Sequence, residues 1–76
     1  MDIDDKVLVV NNVEYIVVET VDAENKKYAY LVNAKDETDT IFREVILSGG
    51  LRVVPIEKEI FKQKIYPLFI EKFKKY

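Results

Sequence analysis

Valine and isoleucine recur on both faces of nearly every extended run in this chain, and that restricts its possible folds more than any other feature. Val7–Val10, Val13–Val21, Tyr28–Ala34, Ile41–Leu47 and Leu51–Val54 are short runs rich in β-branched and aromatic residues, separated by turn formers. An antiparallel sheet with one wet face alternates apolar and polar residues, whereas strands covered on both faces lose that alternation. On the second run Tyr15 and Val17 face one way and Ile16 and Val18 the other. One helical segment follows the last run, and one helix can cover one side of a five-stranded sheet. The other side then curls closed as a small barrel or meets another molecule.

The turns between the runs are short enough to make neighbours antiparallel. Asn11-Asn12 joins the first two, and a two-residue hairpin turn of the primed type needs positive φ, which Asn tolerates better than anything except Gly. That turn predicts Val10 opposite Val13, Leu8 opposite Tyr15, and Val7 sharing the other face with Ile16. Asp22–Lys26 forms a polar turn into a strand on which Tyr28, Tyr30 and Val32 point one way and Ala29 and Leu31 the other. Lys35–Asp39 reads as the next turn and Ser48-Gly49-Gly50 as the last. Pro55, with no N–H for a ladder bond, ends the fifth strand.

From Ile56 onward the chain changes to Glu, Lys, Phe and Ile. Tyr66, Phe69, Ile70 and Phe73 fall on one helical face and Glu71, Lys72, Lys74 and Lys75 on the other, while Ile56–Ile65 is less cleanly divided. Pro67 inside a helix costs about 3 kcal/mol or more, so the spacing predicts a kink, or two short helices with Pro67 in the first turn of the second. The expected fold is α+β in a single domain over 1–76: a five-stranded antiparallel β-meander, curved or closed as a small barrel, with a kinked C-terminal helix. Strands are expected at about 6–10, 13–21, 27–34, 40–47 and 51–54, and the helix at about 57–75, kinked near Pro67.

At 76 residues, with no Cys and no His, the chain has neither a disulfide nor a zinc staple. Burial must stabilise it, and a dimer interface is the usual supplement in so small a domain. The opening Met1-Asp2-Ile3-Asp4-Asp5 is acidic, unlike a signal peptide, and no apolar run reaches the length of a membrane span; a cytoplasmic protein with no membrane partner is expected. Charge is uneven. Residues 1–55 carry six basic side chains against eleven acidic ones, a net of −5, and residues 56–76 carry six Lys against three Glu, a net of +3.

No residue pattern points to catalysis, so the expectation is a protein that is not an enzyme and has no cofactor. The commonest general base, His, and the Cys nucleophile are missing; Ser48 beside Gly49-Gly50 is a turn residue, and Asp36 and Asp39 lie in a solvated turn. Neither Asp2, Asp4 and Asp5 nor Asp36, Glu37 and Asp39 has the spacing of a calcium loop, so no metal site is expected. The candidate interaction surface is the helical segment: Tyr66, Phe69, Ile70 and Phe73 with Lys72, Lys74 and Lys75. Lysines neutralise phosphates and exposed aromatics stack on bases, so nucleic acid is one possible partner of that surface. The aromatics sit at core spacing, however, and the acidic body repels phosphate. An acidic mimic of nucleic acid is a third reading.

The segments Val13-Glu14-Tyr15-Ile16-Val17-Val18, Lys27-Tyr28-Ala29-Tyr30-Leu31-Val32-Asn33 and Val53-Val54-Pro55-Ile56-Glu57-Lys58-Glu59 resemble small uncharacterised proteins of low-GC Gram-positive bacteria and their mobile elements. The resemblance implies hairpin strands and a Pro-Ile-Glu entry to a closing helix, and carries no activity with it. The function expected is non-catalytic protein binding, by an accessory or inhibitory module of bacterial or phage origin, with a protein partner or a second copy as the bound molecule.

Overall fold

The computed structural model describes residues 6–74. Five strands, β1 (Val7–Val10), β2 (Val13–Ala23), β3 (Lys26–Asn33), β4 (Asp36–Ile46) and β5 (Arg52–Val54), pair antiparallel with their sequence neighbours in the order 1-2-3-4-5. The sheet is a meander that stays open, with β1 and β5 at its edges; of the two expected forms, the closed barrel is not the one adopted. A kinked helix follows: α1 (Lys58–Ile60), one wide π turn (Phe61–Ile65) and α2 (Tyr66–Phe73).

Local chemistry sets the hairpins. Asn11 and Asn12 have φ of 53° and 66°, and Glu24 and Asn25 repeat those values at 52° and 66°. Both pairs are turns with two left-handed residues, whose twist matches that of the flanking strands. The first hairpin has the predicted register, Val10 against Val13, Leu8 against Tyr15 and Val7 against Ile16. The second and third turns are tighter than expected, the second being Glu24-Asn25 alone because β2 runs on to Ala23 and β3 starts at Lys26. β4 begins at Asp36 rather than near 40, because Ala34-Lys35 alone reverses the chain. Asn33 Oδ1 accepts from the Lys35 N–H at 2.8 Å and Asp36 Oδ1 from the Thr38 N–H at 3.0 Å, so these side chains stand in for a longer loop. Asp36–Thr38 is therefore exposed strand whose polar composition resembles a turn.

Each sheet face carries its own core. Tyr28 and Tyr30 project to the helix side, where Val21, Ile65 and Phe69 complete the buried centre and Phe42, Phe61 and Phe73 pack around it. Ala29 and Leu31 project to the opposite side and join Leu8, Tyr15, Val17 and Val45. Val17, Ala29 and Leu31 have no accessible surface, although no second layer lies over that face among the described residues. The sheet achieves this by curling: Leu8 and Val10 of β1 and Val53 of β5 belong to the same cluster as the central strands.

A bulge lets β2 serve both cores. The β2–β3 register slips between Val17 and Glu19, leaving Val18 as the extra residue. Before the slip the odd-numbered Tyr15 and Val17 lie in the curl. After it, Glu19 and Val21 oppose Tyr30 and Tyr28 on the helix side. Strict alternation would have kept Val21 with Tyr15.

The helix is shaped by Pro67 and by its own apolar spacing. Glu57 caps it, its carboxylate accepting from the Glu59 and Ile60 N–H groups at 3.1 and 3.2 Å. Pro67 has no N–H to give Gln63, and its ring would crowd that carbonyl. The chain widens instead, and the Tyr66 N–H bonds back to the Phe61 carbonyl five residues earlier. Phe61, Ile65, Phe69 and Phe73 recur every four residues, a stripe that drifts about 40° per step on a regular helix. The wide turn offsets that drift and keeps all four against the sheet. Pro67 consequently sits in the first turn of α2, as one of the two expected arrangements has it.

Candidate protein-binding edge

Of the expected interaction residues on the helix, several belong to the core. Phe69 is wholly buried; its ring centroid lies 4.9 Å from that of Phe42, and Phe42 lies 4.8 Å from Tyr30. Phe73 and Ile70 are half-buried, Phe73 making an edge contact with Tyr30 at 5.4 Å. Tyr66 alone of that stripe is largely exposed. The lysines have local partners. Lys72 Nζ is 3.5 Å from Oε1 of the buried Glu19, which also accepts from the Thr20 N–H at 3.0 Å, so Lys72 pins α2 to β2. Lys74 reaches Glu71 at 3.5 Å and Lys64 reaches Glu24 at 3.0 Å. Lys75 lies outside the described residues, as do Asp2, Asp4 and Asp5. The structure thus gathers the aromatics into a helix–sheet core instead of presenting them beside the lysines as a stacking platform.

The polar groups at the mouth of the curl are also matched to one another. Tyr15 Oη donates to Asp39 Oδ2 at 2.8 Å, and Asn33 Nδ2 donates to the same oxygen at 3.1 Å. Tyr15 and Asn33 are cross-strand neighbours, and the bend at the start of β4 brings Asp39 to them. The hydrogen bond to Asp39, with burial adding to it, raises the Tyr15 phenol above its ordinary value near 10. Among the described residues no group of three or more potential ligands is placed to hold a metal ion. No described helix is long and apolar enough to cross a membrane.

Among the described residues, large apolar side chains are exposed on β1 (Val7, Val9), at the bulge (Val18), just after β4 (Leu47) and on the helix (Ile60, Tyr66, Leu68), with the two β1 valines the most exposed. The helix covers the Tyr28–Phe42 half of its face of the sheet and stops short of β1. Val7 and Val9 are 55% and 66% exposed, and Val18, at the bulge, is 48% exposed. Ile16, opposite Val7, and Val32, opposite Ile16, are half-buried and continue the patch inward. Two shallow hollows flank it, one at the hairpin tip between Val9, Glu14 and Lys35, the other between Ile16, Val32 and the Asn33–Thr38 bend.

Backbone parity makes this edge more than an apolar patch. Val10 and Val13 flank a two-residue turn and form a hydrogen-bonded pair, so Leu8 and Lys6 face β2 in the same way; the 2.9 Å bond from the Val17 N–H to the Lys6 carbonyl shows that phase. The N–H and C=O groups of Val7 and Val9 therefore point away from β2, and no described strand lies beyond them. The sequence reading missed this surface, since Val7-Leu8-Val9-Val10 has the composition of an interior strand. No family model, curated protein or solved structure matches the chain.

Proposed function

We propose that this chain is a non-catalytic protein-binding module, an accessory or inhibitory protein that takes up an extended segment along β1. The observation that carries this reading is the outer edge of β1, where outward main-chain groups alternate with inward ones beside two exposed valines. Strand addition at such an edge draws affinity from main-chain hydrogen bonds, and the exposed Val7 and Val9 side chains offer apolar surface beside it. The exposed patch is aliphatic, which favours an apolar polypeptide over phosphate or a charged metabolite.

Affinity capture from the native host with the wild type and a Val7→Lys/Val9→Lys variant, compared side by side, tests it. The reading expects a discrete set of proteins retained by the wild type and lost from the variant; identical sets on both would count against it. Titration with short single- and double-stranded oligonucleotides at low and moderate salt examines the competing reading. Tight, salt-sensitive binding lost on replacing Lys72, Lys74 and Lys75 would shift the assignment to nucleic acid.

A further inference from the structure

We propose that the occupant of the β1 edge is a second copy of this chain, paired antiparallel about a two-fold axis at Leu8, an inference that rests on the strand-addition reading above. In antiparallel self-pairing the residues that exchange hydrogen bonds are those whose main-chain groups point outward, here Val7 and Val9. Setting Val7 of one copy opposite Val9 of the other satisfies both at once, with about four main-chain hydrogen bonds, and places the two Leu8 residues face to face as the non-bonded pair. The segment Val7-Leu8-Val9 is symmetric in side-chain character about that axis. Lys6 then meets Val10 of the other copy, so no like charges oppose each other across the junction. The side chains of Val7 and Val9 lie on the Ile16 side of the sheet, and the axis brings both copies' patches together as one strip.

The two edges of the sheet differ in a way that makes this pairing closed. β5 has three residues, carries the exposed Arg52, and is followed at once by Pro55; short length, charge and proline are the devices that discourage edge pairing. β1 is also short, at four residues, but has neither a charge nor a proline within Val7–Val10. A contact that uses β1 twice and leaves a blunted edge on each flank ends at a ten-stranded dimer instead of growing into a filament. A four-residue strand spans about 13 Å. Its pairing covers less than the roughly 800 Å² per partner of a standard stable interface, so the dimer is a weak one whose population rises with concentration.

Light scattering behind a sizing column, from about 5 to 500 µM, decides the question. The wild type is expected to move from 8.9 kDa toward twice that mass with rising concentration. Val7→Lys/Val9→Lys, which changes only exposed side chains, should weaken the association at least tenfold with an unaltered circular dichroism spectrum. Val9→Pro is the second probe: its N–H points away from β2, so the monomer tolerates it while the dimer loses a donor and meets a ring. A wild type that stays at the monomer mass at 500 µM overturns the proposal, as does a dimer that both variants leave intact. A monomer that still captures another polypeptide through Val7 and Val9 overturns self-pairing and leaves strand addition standing. Neither self-association nor capture would remove both.

Discussion

Single residues fix the turns, and one of them does so at a cost. Asn11, Asn12 and Asn25 occupy left-handed positions that suit Asn, but Glu24 holds φ at 52°, a conformation that disfavours most side chains by roughly 1–2 kcal/mol. Glu24→Asn is expected to raise stability by about 0.5–1 kcal/mol in urea denaturation, since the lost ion pair with Lys64 is solvent-exposed and contributes little. Tyr15 makes a pH-dependent contribution. Its phenol is raised in the folded state, so its stabilisation is fully present below the ordinary value near 10 and is lost as pH rises through the higher folded value. Urea midpoints of wild type and Tyr15→Phe, followed upward from pH 8, should draw together as pH rises above the ordinary value near 10; a gap that stays constant would mean that Asp39 does not hold the phenol. The Asn-Asn turn was legible in the sequence because its requirement is local. Tyr15's partner was not, because Asp39 reaches it only through the bend at the start of β4.

Among the elements, the helix shows most clearly how two constraints agree. Pro67 demands a break in the hydrogen-bond ladder, and the four-residue spacing of Phe61, Ile65, Phe69 and Phe73 demands a correction of phase; the π turn meets both. Because the packing independently calls for the wide turn, Pro67→Ala should change stability by less than about 1 kcal/mol, whereas Phe69→Ala, at the buried centre, should cost about 3–5 kcal/mol. Comparable losses from the two substitutions would assign the turn to the proline alone. Sequence periodicity found the Tyr66–Phe73 stripe but left Ile56–Ile65 ambiguous, since a period measured at 3.6 slips across a π turn. Alternation found both faces of β3, and of β2 as far as Val17, and lost phase only at the bulge at Val18, which no Gly or Pro marks. There the switch is set by what Val21 must meet on the helix side. The early start of β4 was hidden for a related reason, as Asp36–Thr38 is exposed strand composed of loop residues.

At the scale of the whole molecule, a single sheet carries a core on each face, packed by a helix over half of one and by its own curl on the other. Both faces being apolar was readable from the sequence, but whether the sheet closed was not. Closure depends on β1 meeting β5, and a run such as Val7–Val10 looks the same with one neighbour or two. The open form leaves β1 with an outer edge, and the functional account stands on that edge. Hydrogen exchange resolved to single amides, recorded at low and at high protein concentration, tests it most directly. The account predicts that at a few micromolar the Leu8 and Val10 amides are protected while those of Val7 and Val9 exchange freely, and that the latter pair gains at least tenfold protection near 500 µM. Equal protection of Val7, Leu8, Val9 and Val10 at every concentration would mean that β1 has a strand on each side within one chain, and would contradict it.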